Sequence, residues 1–286
     1  MHDTVFPRWQ GAFLAIFLLA DGLYLPAAPE TVRTLVLGGI LALLVTFAWL
    51  KVLAACNERD LESLCLHRFP KWLTRVLFAL VAAACVFGIA FSLWRLSAFW
   101  QETAFPGIPR LLSAAVLLFV GWRAGRRGRT AVAMWAYPML FLTSFVIAAS
   151  LLVTVSDCAP EHLPALTGRM SISPRTLCNY AWLLLPLLLC AQGKKLPATR
   201  ACALGTLAGC TGLTLIALRA WLVLGTGAEK LPYPAFSSAG VFSVGDFLQR
   251  GEVVFGCALA LCEAVRVALL ITLLYTALRT VFEKKA

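Results

Sequence analysis

Five ionisable side chains stand inside long apolar runs of this chain of 286 residues: Asp21, Arg95, Arg219, Glu263 and Arg266. A charge near the centre of a bilayer costs a few kcal/mol or more unless it is paired or faces water. Two carboxylates and three guanidiniums can neutralise one another, hold a proton or meet a polar ligand. Glu263 and Arg266 are three residues apart, share a helical face with Gly256, Leu259 and Leu270, and can pair along one helix. Arg95 shares a face with Gly88, Phe91, Ser92 and Phe99, and Gln101 and Glu102 are near enough for it to snorkel toward the interface. Arg219 is closer to the middle of its run, where snorkelling is harder. Asp21 differs in its company, Leu-Ala-Asp-Gly-Leu-Tyr-Leu-Pro at residues 19–26. Gly22 loosens the backbone, while Pro26 removes a donor and clashes with the preceding turn. An interrupted helix over residues 20–26 is therefore expected, and such a break is tolerated at membrane depth only when buried in protein or lining a cavity. Transporters bind substrate at breaks of this kind. A kink in which Asp21 pairs with an arginine for stability alone is the other reading.

Other chemistry is poorly supplied. The three histidines, His2, His67 and His162, form no H-E-x-x-H pattern, and the ten cysteines contain no C-x-x-C pair. Most of these cysteines lie in apolar runs, where a thiol behaves as a small hydrophobe. Neither a metal nor a cofactor is expected, and no nucleophile has an apposed base, so the chain reads as a non-enzyme.

The surrounding elements belong to a membrane. Hydrophobic residues make up 60% of the chain and charged residues 14%, and the mean hydropathy is +0.83; soluble domains are about a quarter charged. Apolar length and breaker residues predict eight transmembrane helices, near 9–29, 32–55, 74–100, 107–122, 130–155, 174–193, 201–227 and 253–279. The fourth is short, and its failure would invert everything downstream. The first run reads as a retained helix and not as a cleaved signal. The net charge of +11 follows the bias of cytoplasmic loops, since sixteen Lys and Arg fall on one side of this topology and six on the other. Both termini are then cytoplasmic, and a nucleic-acid partner is not implied. Residues 57–72 form either an interfacial helix or a solvated loop. Gly205, Gly209 and Gly212 put small residues where a neighbouring helix can approach.

Four stretches carry a family resemblance. The first span begins near Trp9-Gln10 and ends in a small-residue break and Leu25-Pro26; the third ends in Trp94-Arg95-Leu-Ser-Ala-Phe-Trp-Gln-Glu102. Ala124-Gly-Arg-Arg-Gly128 precedes Tyr137-Pro138, and Leu231-Pro-Tyr-Pro234 precedes Gly245-Asp-Phe-Leu-Gln-Arg-Gly-Glu252. In order and spacing these resemble the spore germination permease family, the GerAB-type B subunit of nutrient germinant receptors, within the amino acid, polyamine and organocation transporter superfamily. The resemblance implies an all-α polytopic membrane protein with a LeuT-like bundle of two inverted five-helix repeats and broken helices one and six. Residues 1–286 would form one membrane domain, with 9–155 the first repeat and 174–279 an incomplete second repeat of about three helices. It also implies a ligand pocket built from spans one, three, six and eight. Asp21, Gly22, Tyr24 and Pro26 of the first span, Arg95 of the third, Asn179 and Tyr180 of the sixth and Glu263 of the eighth are the candidate ligand-binding residues.

The implied partners are a small molecule such as an amino acid, membrane lipids, a second polytopic subunit and a lipoprotein subunit, in the cell or spore inner membrane. Family members have ten spans where this chain has eight, and the sixth span, Asn179-Tyr-Ala-Trp-Leu-Leu-Leu-Pro186, has a proline without the family's glycine and acid. Asp21 replaces a small or polar residue. Three functions follow: nutrient sensing, with Asp21 facing a ligand ammonium or a proton and the amides near Gly22 a carboxylate; proton-coupled amino acid transport through Asp21 or Glu263; and a pocketless assembly subunit.

Overall fold

The computed structural model describes residues 6–58, 61–103, 107–168, 172–190, 196–240 and 251–282. Helix α1 (Phe6–Leu19) tightens into a 3-10 turn (Ala20–Tyr24) and is followed by α2 (Pro29–Ala55), α3 (Leu61–Arg68), α4 (Lys71–Thr103), α5 (Arg110–Gly125) and α6 (Arg129–Thr154). The chain continues through α7 (Pro174–Ala181), α8 (Leu184–Cys190), α9 (Leu196–Leu224), α10 (Pro234–Ser238) and α11 (Gly251–Phe282). Five stretches are long and apolar enough to cross a membrane, 29–55, 71–103, 129–157, 199–228 and 251–282, and 10–24 is a shorter apolar helix. The chain is an all-α polytopic membrane protein. Each of the eight predicted runs contains helix, the sixth as the pair α7 and α8 among the described residues. The fourth, α5, has 16 residues, about 24 Å at 1.5 Å per residue.

Prolines place the interruptions. Pro26 forces the residue before it out of the helical region, and Leu25 is extended (φ −69°, ψ 130°). Ala28, before Pro29, is extended too (φ −137°, ψ 151°). The first span therefore does not resume after its tightened turn; the chain crosses a short extended link into α2. In the sixth run Pro186 cannot donate and its ring opposes the carbonyl four residues back. That residue is Trp182, and the helix breaks there between α7 and α8.

Packing sorts the helices into two groups. Helix α9 packs on α1 and α2, and α2 on α7; α4, α5 and α11 pack on one another; the groups meet where α1 packs directly on α11 and where α6 touches both. The described residues of α1 from Gln10 to Leu19 are all buried, as is most of α11 from Phe255 to Leu273. Wide apolar faces elsewhere, such as Leu44, Leu80, Phe87, Phe141 and Leu152, are exposed, as lipid contact requires. Residues 61–68 take the helical alternative of the two expected for this loop: Leu61, Leu64 and Cys65 are buried, and Thr280 donates a hydrogen bond to Glu62 over 3.3 Å. Burial raises the Cys65 thiol pKa.

The closest helix contact is the crossing of α1 and α9. A side-chain carbon at Gly11 would strike the carbonyl of Ala201, and one at Gly205 would strike the Gly11 backbone; Gly209 and Gly212 receive Leu18 and Leu19. With a backbone on the far side, nothing can rotate away. Gly205→Ala is expected to cost ~3 kcal/mol, read as a lower melting temperature in detergent, whereas Gly107→Ala, with nothing within 4 Å, leaves it unchanged. Topology is checked by thiol labelling. Cys158 is half-buried, and burial together with Asp157 raises its pKa. An impermeant thiol reagent applied from outside is expected to label Cys158, faster as pH rises and the thiolate forms, while sparing Cys56 and Cys65; the opposite pattern would invert the topology.

Candidate functional site

Asp21 is in the 3-10 turn, 1% exposed. Its Oδ1 accepts two hydrogen bonds of 2.9 Å, one from Arg95 Nη1 on α4 and one from Arg266 Nη1 on α11. The same Arg266 nitrogen lies 3.6 Å from Glu263 Oε2, one turn back on its own helix. Two acids and two arginines thus meet in one cluster, which joins the turn after α1 to the second helix group. Aromatic faces complete its packing: Arg95 sits 3.7 Å above the Tyr24 ring and 5.0 Å from that of Phe91, and Arg266 lies 4.7 Å above Phe17. Among the described residues Asp21 Oδ2, the Tyr24 hydroxyl, Ser92 Oγ, both Glu263 oxygens and Arg266 Nε have no hydrogen-bond partner. Ser92 nevertheless lies beside the Glu263 carboxyl.

Beside the cluster opens a cavity of about 610 Å³. Tyr24 and Pro26 of the first break line it, as do Phe91, Trp94, Arg95 and Glu102 of α4, Thr176 in the first turn of α7, Trp182 at the second break, and Tyr233. The two interruptions therefore face one space. Trp182 is held in place by stacking on Phe87, with ring centroids 5.8 Å apart. Tyr233 packs edge-on against Phe99 (5.0 Å) and Tyr24 (6.3 Å) and hydrogen-bonds Glu102. Burial, then the neighbouring Glu102, pushes the Tyr233 phenol up to about 12, so it stays a neutral donor. Arginine, carboxylate, hydroxyls and aromatic walls together suit reversible binding of a small polar molecule with an apolar body.

The predicted residues divide. Asp21, Tyr24, Arg95 and Glu263 converge on the cluster, and Pro26 joins Tyr24 and Arg95 on the cavity wall. Gly22 faces the opposite way: a side-chain carbon there would meet Ile216, Leu213 and Leu259. Tyr180 also turns elsewhere, donating its hydroxyl hydrogen to the Leu35 carbonyl over 2.8 Å against Gly38 and Gly39 of α2. Asn179 is in α7, and its side chain lies outside the described residues. Arg95 turns inward to Asp21 and does not snorkel, with 14% of its side chain exposed. Arg266 bridges both acids, so the pairing with Glu263 expected along α11 is only half of its role. Trp182, Thr176 and Tyr233 line the cavity without being among the expected ligand-binding residues; the Pro186 spacing is a signal for Trp182 and the Leu231–Pro234 motif one for Tyr233, whereas nothing local marks Thr176.

Arg219 has a separate environment. Its guanidinium donates to Ser150 Oγ (2.5 Å), the Ala235 carbonyl (2.6 Å) and Ser238 Oγ (3.2 Å) and lies 4.2 Å above the Phe255 ring. No carboxylate meets it among the described residues. It fastens α10 to α6 and α9, and the positive charge suits the carbonyl end of that short helix.

A family model described as "Spore germination protein" matches residues 33–286. The match takes in Arg95, Glu263 and Arg266 and begins after Asp21. Searches of curated proteins and of solved structures each found no match.

The charge balance of the cluster is testable. Asp21→Asn leaves two buried guanidiniums facing Glu263 alone, and removing one partner of a buried ion pair costs about 3–5 kcal/mol. A markedly lower melting temperature is expected, with part of the loss recovered in the double variant Asp21→Asn, Arg266→Gln. Additive losses in the double variant would mean that the two side chains do not act together.

Proposed function

The chain belongs to the spore germination protein family, and from that premise we propose that it is the membrane subunit of a nutrient-germinant receptor, binding a small nutrient such as an amino acid to trigger germination. The observation that carries this reading is the cavity of about 610 Å³ bounded by both chain interruptions and by Arg95. A ligand there contacts the two helix groups at once, so its binding energy can shift the balance between two arrangements of the bundle. Asp21 supports the joint between the groups; Arg95, Tyr24 and the aromatic walls provide the ligand contacts. On this reading the chain sits in the inner membrane with both termini cytoplasmic, residues 9–155 and 174–279 act as the complete and the shortened repeat, and a second polytopic subunit and a lipoprotein subunit are its partners.

Proton-coupled amino acid transport is the second reading, favoured by Glu263, a buried carboxylate whose oxygens have no hydrogen-bond partner among the described residues. A pocketless assembly subunit is the third reading, suggested by the eight predicted spans and by a sixth span without the family's glycine and acid.

The purified protein in nanodiscs separates these readings. A nutrient bound at a hundredfold excess over its Kd is expected to add ~2.7 kcal/mol of stability, and Trp182→Ala is expected to abolish that gain. Sensing predicts binding without accumulation in proteoliposomes, and loss of the nutrient response in spores lacking the chain. Uptake driven by a proton gradient would favour the transporter instead, and no saturable stabilisation by any nutrient would remove the pocket from the mechanism.

A further inference from the structure

We infer that the ligand carries a carboxylate on an aromatic or bulky apolar body, and that this carboxylate takes Arg95 in competition with Asp21. The inference rests on the receptor reading and deepens it by naming the ligand's chemistry and the contact it breaks.

Of the cluster's two arginines only Arg95 reaches the cavity, with 14% of its side chain exposed against 2% for Arg266. An arginine has five N–H donors in a planar fork that matches a carboxylate. Here only Nη1 is engaged, by Asp21, among the described residues. The Tyr24 ring 3.7 Å away holds the plane of the fork. Two further donors belong to the same cavity: the hydroxyls of Tyr24 and Thr176 are buried without partners among the described residues, and Thr176 is 1% exposed. Glu102, the cavity's other charged group, is already engaged by Tyr233 and lies 4.0 Å from Arg110. Phe91, Trp94 and Trp182 leave flat apolar walls for the remainder of the ligand.

The coupling follows from the sharing of one oxygen. Both arginines donate to Asp21 Oδ1. An incoming carboxylate that draws Arg95 away leaves Asp21 to Arg266 alone, so the turn after α1 loses its bond to α4 while the charge on Asp21 remains compensated. The ligand thereby favours the arrangement in which these elements are parted. An exchange of one carboxylate for another at the same guanidinium avoids stranding a bare charge, which opening the joint without ligand would do.

The experiment compares three probes on the nanodisc protein: L-phenylalanine, phenylalaninamide and 3-phenylpropionate. Binding is read by titration, and the joint by hydrogen exchange of residues 19–25. Both carboxylate probes are expected to bind and to speed exchange there. The amide is expected to bind about tenfold or more weakly, as loss of charge-assisted hydrogen bonds predicts, and to leave exchange unchanged. Thr176→Val, outside the ion cluster, is expected to weaken both acids several-fold with a native melting temperature, so the result does not depend on an arginine variant folding. Equal binding of acid and amide, slower exchange on binding, or no binding of either acid would overturn the inference. Spores lacking the chain supply the separate control: if their nutrient response is lost while the acids fail, the receptor reading stands and the carboxylate assignment falls.

Discussion

A single carboxylate oxygen shared by two arginines ties the turn after α1 to α4 and α11. Asp21 is 1% exposed, and a lone ionised acid so buried would cost many kcal/mol. Arg95 and Arg266 supply what solvent cannot, each over 2.9 Å. Because they come from α4 and α11, compensating the charge also fixes where the second helix group must lie against the first span. The ring faces of Tyr24 and Phe17 pack on the guanidiniums, and Glu263 lies 3.6 Å from Arg266. Electrostatic necessity and helix placement are thus one constraint.

Two prolines turn that constraint into a site. Pro26 ends the first span immediately beyond the acid, and Pro186 breaks the sixth at Trp182. Each break exposes to the same space groups that a continuous helix would have kept on its own surface. The cavity is therefore a product of local backbone chemistry, while its charged floor is a product of long-range pairing. The floor alone would be inert, and the opening alone would be a greasy cleft.

How much of this was legible in the sequence depends on the range of the interaction involved. The helices were, because apolar runs and prolines act locally; even the short fourth helix and the Asp21 interruption follow from neighbouring residues. That Asp21, Arg95 and Glu263 matter was legible from the cost of charge in oil. Their partnership was not, since Asp21 and Arg266 are 245 positions apart and the nearer Glu263 offers Arg266 an obvious mate. Tyr180 and Gly22 misled for a related reason: they neighbour the right elements but point away, and sequence spacing in an irregular segment does not specify direction. Thr176 and Tyr233 reach the cavity only through tertiary folding, so no periodicity announces them.

The glycine crossing of α1 and α9 limits how such a molecule can deform. Two backbones in direct contact have no cushion of side chains to slide over, so these helices must travel as one body. Their border with α4 and α11 is of another kind, apolar packing between α1 and α11 joined by polar atoms at Asp21, where a few bonds can be exchanged. A shift of the bundle is cheaper at that seam than at the glycine crossing, much as a door swings at its hinge and not at its panels.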